Sequence, residues 1–187
     1  MKHVLVVSGH TDLTDSVANK TILEEVARLL PEAEIDYLDR EYPDFKINVL
    51  AEQEKLVRAD VIVFQFPLFW YSLPSILERW MEKTFVHGFS HGTAGDKLHG
   101  KTLLLFVTTG APESAYQKGN GYTMDELFPA IHGTCRLTGL NYGGAVYTFG
   151  VSYQLRNTPE GLAEIKAKAK DHAARLVKLI GDVKGNG

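Results

Sequence analysis

Asp60-Val61-Ile62-Val63-Phe64-Gln65-Phe66 is the stretch that decides the fold. It is apolar on both alternating faces, as a strand covered on both sides must be, and a sheet of such strands is parallel. Similar short runs recur along the chain at His3–Val7, Glu34–Leu38, Thr102–Thr108 and Gly144–Thr148. Amphipathic segments lie between them. Ser16–Leu30 sets Ala18, Ile22, Val26 and Leu29 at helical spacing, with Asp15 or Ser16 able to cap its start. Val49–Arg58, Pro74–Phe85, Met124–Leu137 and Glu160–Ile180 read as further helices, the last with Leu162, Ile165, Ala169, Ala173, Leu176 and Ile180 facing inward. Strands that alternate with helices, without repeats or a linker, predict an α/β doubly wound domain spanning residues 1–187. Its five-stranded parallel sheet should carry helices on both faces.

Composition narrows the function classes. The chain has 187 residues, 44% hydrophobic and 23% charged, with 20 basic against 23 acidic side chains. No Lys/Arg block suggests a nucleic-acid partner, and no apolar run approaches the roughly 18 residues of a membrane span. A strand-like run that starts at the second residue predicts a protein without a leader, hence cytoplasmic. The single cysteine, Cys135, excludes an internal disulfide and is expected to be a buried apolar residue. No metal site is expected, since His87 and His91 lack a supporting carboxylate. His172, on the last helix, is expected to pack or to lie at the surface. Asn19-Lys20-Thr21 matches a glycosylation sequon that such a chain would not use.

Doubly wound folds bind ligands outside the carboxyl ends of their strands, so the loops after the first, third and fourth strands carry the functional reading. Ser8-Gly9-His10-Thr11-Asp12-Leu13-Thr14-Asp15-Ser16 runs into a helix N-terminus, a natural phosphate cradle because unpaired N–H groups point outward there. Its alternative is an ordinary capped loop, and Asp12 and Asp15 oppose a phosphate. Phe66-Pro67-Leu68-Phe69-Trp70-Tyr71-Ser72-Leu73-Pro74 holds three consecutive aromatics that a turn would expose, suiting a planar ligand or a dimer contact. Thr108-Thr109-Gly110-Ala111 permits close backbone approach, and Tyr116 and Tyr122 downstream offer phenolic donors in what is otherwise a surface loop. Gly95-Asp96-Lys97-Leu98-His99-Gly100-Lys101-Thr102 fits the P-loop pattern by letter. A strand follows it where that mechanism needs a helix, so nucleotide hydrolysis is set aside.

Together these motifs resemble the flavodoxin-like NAD(P)H:quinone oxidoreductases. That group includes the mammalian quinone reductases, the bacterial modulators of drug activity and the ancillary flavoproteins of glutathione-gated potassium efflux. The resemblance rests on Phe64 to Trp80, on the His10…Ser16…Asn19 spacing, on Thr108-Thr109-Gly110 and on Tyr116. It implies a flavin whose phosphate is held by His10, Ser16 and the amides of Val17 and Ala18, with Asn19 supporting the loop. Pro67, Leu68, Phe69, Trp70 and Tyr71 would line the ring, and Thr108, Thr109, Gly110 and Ala111 would bond its pyrimidine edge. Tyr116 is the implied active-site tyrosine, and Tyr122 stands where the mammalian members place a histidine. The implied chemistry is ping-pong, with hydride passing from NAD(P)H through flavin N5 to a quinone. FMN is favoured over FAD because the chain shows no extra segment for an adenylate. A homodimer is implied as well. The rival readings are a regulatory flavoprotein associated peripherally with a membrane transporter, and an electron-carrier flavodoxin. The latter's Thr/Ser-rich phosphate loop and strong acidity are not matched here.

Overall fold

A parallel strand cannot return by a tight hairpin, so each β-branched run must be followed by a crossover that covers one face. The computed structural model describes residues 2–185. It contains strands β1 (Val4–Ser8), β2 (Glu34–Tyr37), β3 (Val61–Pro67), β4 (Thr102–Thr108) and β5 (Asn141–Thr148). All neighbours pair in parallel, in the order β2-β1-β3-β4-β5, which is the flavodoxin-like winding. The helices are α1 (Val17–Leu29), α2 (Leu38–Glu41), α3 (Val49–Arg58), α4 (Ser75–Thr84), α5 (Pro129–Thr138) and α6 (Pro159–Gly185). Alternation along β1 shows the layering. Val4 and Val6 pack with Ile22 and Val26 of α1 and with Ala169, Ala173 and Leu176 of α6. Leu5 and Val7 face the opposite core, where Leu56, Ile76, Leu77, Trp80, Ile131 and Cys135 bring in α3, α4 and α5. Among the described residues, no helix is long and apolar enough to cross a membrane.

Three elements differ from the sequence reading. The helix expected over Met124–Leu137 is a short 3₁₀ turn, Asp125–Leu127, followed by α5 from Pro129. Proline has no N–H to donate and disfavours helical backbone in the residue before it, so it starts a helix here rather than continuing one. The fifth strand begins at Asn141, three residues before the expected Gly144. Gly143 lies so close to β4 that an added Cβ would sit 2.5 Å from Thr102 Cγ2, beside a register shift between Leu103 and Leu105. Two glycines thus let the strand pass a bulge while hiding it from any apolar pattern. The second strand stops at Tyr37, and Leu38 opens the one-turn α2 instead of ending a strand. In addition, Leu29 is partly exposed while Leu30, one position on, is buried.

Beneath the α3–α4 face lies a buried ionic knot. Glu52 is fully buried and its two oxygens accept from Trp80 Nε1 (2.7 Å), Tyr42 Oη (2.6 Å) and Lys55 Nζ (2.7 Å). Lys55 also reaches Asp36 Oδ1 and Glu41 Oε2, each at 2.9 Å. Its ammonium is the counter-ion of these three carboxylates, which are otherwise grouped closely enough to hold a metal. Burial, and next the neighbouring Glu52, push the Asp36 carboxyl well above the ordinary carboxylate range. Burial also works against the Glu52 carboxylate, but hydrogen bonds from Asp36, Lys55, Tyr42 and Trp80 outweigh it and hold its pKa low.

Glu52→Gln leaves buried donors facing an amide and is expected to cost about 3 kcal/mol or more in urea unfolding. Asp36 is protonated preferentially in the folded chain. Its contribution to stability is therefore complete below the ordinary carboxylate pKa and is lost as pH rises through the raised one. Asp36→Asn should flatten that alkaline loss, measured as unfolding midpoints at about pH 6 and about pH 9.

Candidate functional site

From β1 the winding goes to β2 on one side and then crosses to β3 on the other, which opens a crevice at the carboxyl ends of β1 and β3. A cleft of about 370 Å³ lies there. One wall is the loop after β1 with the first turn of α1: His10, Ser16, Val17, Ala18 and Asn19. Pro67, Leu68 and Phe69 from the end of β3 form the second wall, and Thr108, Thr109 and Gly110 from β4 form the third. Of the residues expected at the site, these eleven come together in one cavity.

The loop after β1 is shaped by its own side chains. Asp12 accepts from Thr14 N and Oγ1, capping the 3₁₀ turn Leu13–Asp15, and Asp39 of α2 accepts from Leu13 N at 2.8 Å. Ser16 then caps α1 by accepting from Asn19 N at 3.1 Å. Val17 and Ala18 are the first two helical residues, whose N–H groups have no partner within the helix. His10 Nδ1 accepts from Asp12 N at 3.1 Å, which leaves the ring's proton on Nε2. Burial lowers the His10 pKa below its ordinary value, against the opposing pull of Asp39, Asp12 and Asp15. At neutral pH the imidazole is thus a neutral single donor.

Asn19 ties this loop to the sheet. Its buried Oδ1 accepts from Gln65 Nε2 of β3 (2.8 Å) and Thr108 Oγ1 of β4 (3.2 Å), while Nδ2 donates to Ser16 Oγ (3.1 Å). Gly9 allows the loop to leave β1 close to α4, since a Cβ there would sit 2.9 Å from Leu77 Cδ2.

Phe69-Trp70-Tyr71-Ser72 is a two-residue hairpin. Phe69 N donates to Ser72 O and Ser72 N to Phe69 O, with Trp70 at φ 50° and Tyr71 at φ 62°. These are the left-handed dihedrals of a type I′ turn, which asparagine and glycine normally occupy. The geometry pushes Trp70 outward to 95% exposure, so its ring is not packed on α4, and Tyr71 to 60%. Phe69 turns in and meets His10 edge-on at 5.7 Å. Tyr71 meets Tyr116 at 6.4 Å, and Tyr116 meets Phe149 at 5.7 Å. Burial raises the Tyr116 pKa, so its phenol stays protonated. Tyr122 is exposed and lines a neighbouring depression with Tyr71 rather than the main cleft. Ala111 stands just beyond the cleft; its carbonyl accepts from Thr109 Oγ1 and Gly150 N, both near 2.8–2.9 Å.

The segment after β5 was not foreseen as part of the site. Val151, Ser152, Tyr153 and Arg156 complete the cleft. Arg156 Nη1 donates to the carbonyl and to Oδ1 of Asp15, each at 2.8 Å, and its guanidinium lies 3.4 Å from the centre of the Tyr153 ring. The signal was available, because this loop also leaves a strand's carboxyl end. The other flagged residues lie elsewhere. Gly95–Thr102 leads into β4, and His87 meets His91 edge-on at 5.9 Å while Ser90 bonds His91. Cys135 is buried, with its thiol pKa pushed up by burial. His172 is a packed core residue: it bonds Thr148 at 2.8 Å, and burial, followed by Arg175, holds its pKa down at about 3.

This winding and crevice define a doubly wound α/β fold with an open switch point. Residues 2–173 match the model of the flavodoxin-like fold family, and the chain belongs to that family. Among solved structures it is similar to a thermophilic tryptophan halogenase from Streptomycin violaceusniger. That likeness is 34% identity over 90% of this chain and 96% of the other, with a TM-score of 0.78. It is similar to general stress protein 14 of Treponema denticola in complex with FMN, at 25% identity, covering 96% and 99%, with a TM-score of 0.83. An NADPH-quinone reductase from P. pentosaceus shares the fold at 24% identity, covering 92% and 98%, with a TM-score of 0.73.

Asn19→Ala strands two buried donors, Gln65 Nε2 and Thr108 Oγ1, and should destabilise the chain by about 2–4 kcal/mol in chemical unfolding. Asn19→Asp keeps the acceptor and should lose less.

Proposed function

We propose that the protein is an FMN-dependent reductase that passes two electrons from NAD(P)H to a small acceptor such as a quinone. The observation that carries this reading is the cleft itself. A helix N-terminus stands on one wall, while an apolar and aromatic wall from β3 faces backbone-rich Thr108–Gly110 on another. A phosphate tail suits the first and a planar ring with a polar edge suits the others. The FMN complex of the similar Treponema protein supports the same cofactor.

The residues fit FMN in kind. Ser16, through its cap, presents the amides of Val17 and Ala18 to a phosphate, and His10 offers a neutral N–H beside them. Asn19 holds that turn in place from below. Pro67, Leu68 and Phe69 would flank the ring and Thr108, Thr109 and Gly110 would meet its polar side, with Trp70, Tyr71 and Ala111 outside the residues that line the cleft. When bound, FMN supplies the hydride chemistry, and the chain supplies orientation and charge stabilisation. Tyr116 keeps a proton on its phenol oxygen, a donor for negative charge that builds on reduction. Tyr122, beside Tyr71, belongs to the acceptor side in this reading; a phenol there donates a hydrogen bond but does not serve as a charged relay. Nicotinamide and acceptor take the same slot in turn, which makes the kinetics ping-pong. A second copy of the chain covering Trp70, Tyr71 and Tyr122 is part of the proposal, as their exposure is large for aromatic side chains.

Protein loaded with FMN should be yellow, bleach with NADH or NADPH, and recover its colour with a quinone. Failure to take up any flavin would overturn the reading. The similarity to a tryptophan halogenase supplies a control arm: tryptophan offered with a halide should yield no halogenated product. Tyr116→Phe should lower turnover on the order of tenfold to a hundredfold while FMN stays bound. Unchanged turnover would remove Tyr116 from the machinery.

A further inference from the structure

A phosphate dianion at the start of α1 faces an electrostatic difficulty. The loop from Gly9 to Ser16 carries two carboxylates, Asp12 and Asp15, and no lysine or arginine. His10, the one imidazole in it, has its pKa lowered by burial and brings no full positive charge. Helix amides alone contribute a partial charge of about half a unit. Among the described residues that line the cleft, a single Lys or Arg is present: Arg156, on the 3₁₀ turn Tyr153–Asn157 after β5.

Its placement is specific. Arg156 reaches across 141 positions of sequence to Asp15, the residue immediately before the cap of α1. Its side chain is 25% exposed and that of Asp15 is 54% exposed. The guanidinium is stacked over Tyr153, which fixes its plane. The segment that carries it is anchored at its other end to the ring-edge loop, where Gly150 N donates to Ala111 O and Val151 N to Thr109 O, both at 2.9 Å. Residues 149–156 therefore form a strap from the polar edge of the cleft to its anionic end. The guanidinium fork at the end of that strap matches a phosphate as well as it matches a carboxylate. The acid partner is the more exposed of the two, so exchanging its carboxylate costs little, while the bond to the Asp15 carbonyl keeps the arginine at the helix start.

We infer that Arg156 is the phosphate-reading residue of the cofactor site, with the Asp15 carboxylate occupying the guanidinium until the FMN phosphate takes its place. The inference rests on the flavin reading above and adds the residue that selects a phosphorylated flavin over an unphosphorylated one. Arg156 would stabilise the bound phosphate by charge-assisted hydrogen bonds, with Nη1 released from the Asp15 carboxylate and Nη2 held by the Tyr153 hydroxyl. Asp15 keeps the fork aimed at the helix N-terminus in the free chain and competes with the ligand for it.

The test is a comparison of FMN and riboflavin affinities by quenching of flavin fluorescence, in the full chain and three variants. Arg156→Gln should weaken FMN binding on the order of tenfold to a hundredfold and leave riboflavin within about twofold. Retained riboflavin binding also shows that the variant is folded. Arg156→Lys, which keeps the charge and loses the fork, should fall between. Asp15→Asn, which removes the competitor, should leave FMN binding equal or tighter. The inference is overturned if Arg156→Gln weakens both ligands equally, weakens neither, or if Asp15→Asn weakens FMN as much as Arg156→Gln does. Wild-type protein that binds neither ligand overturns the flavin reading with it, whereas wild-type binding with an indifferent Arg156→Gln overturns this inference alone.

Discussion

One oxygen atom organises the carboxyl edge of the sheet. Asn19 Oδ1 accepts hydrogen bonds from β3 through Gln65 and from β4 through Thr108, while the same amide donates to the Ser16 cap of α1. The three walls of the cleft therefore share a fixed point. Removed from water, these donors have no cheap alternative partner, so the helix can neither slide along the sheet nor rotate away from it without orphaning them. Apolar packing of Ile22 and Val26 against β1 chooses the face on which α1 lies. The Asn19 amide then sets where its N-terminus stops.

Charge is handled in separate compartments. On the α3–α4 side, three carboxylates and one lysine form a largely buried knot in which both Glu52 oxygens are held by protein donors. Its role is cohesion: it joins β2, α2, α3 and α4 through groups that only the native arrangement can pair. At the mouth of the cleft, Asp15 and Arg156 are paired but partly exposed, and so remain exchangeable. A cation–carboxylate contact is cohesive in one environment and, on the proposed reading, available to a ligand in the other, because burial decides what separating it costs.

The sheet was readable because its three central strands, β1, β3 and β4, are apolar on both faces; the run from Val61 to Phe66 admits little else. The site walls from β1, β3 and β4 were equally readable, since the winding rule points to those loops and their residues lie within a few positions of a strand end. What escaped has a common cause. Arg156 acts on Asp15 from 141 positions away, Asp39 pins Leu13 from 26 away, and the Asn19–Gln65 bond spans 46. No local pattern encodes such pairs. The early part of β5 was hidden for a different reason: Gly143 and Gly144 contribute no side chain to an alternation, and their use lies in what they make room for. Pro129 was a visible stop signal set inside an apolar stretch whose helical spacing outweighed it.

The hairpin at Phe69–Ser72 has a consequence for how this protein can change. Two aromatic residues sit in backbone conformations that cost them roughly 1–2 kcal/mol each and that glycine adopts freely. Any search for heat-resistant descendants, by laboratory evolution or by repeated selection for expression, will find Asn-Gly at these two positions among its easiest gains. Each such gain would erase an exposed aromatic ring next in sequence to Phe69, which lines the cleft. On the proposed reading, stability and recognition are coupled with opposite sign at positions 70 and 71, and a lineage that keeps Trp-Tyr there records a demand other than folding.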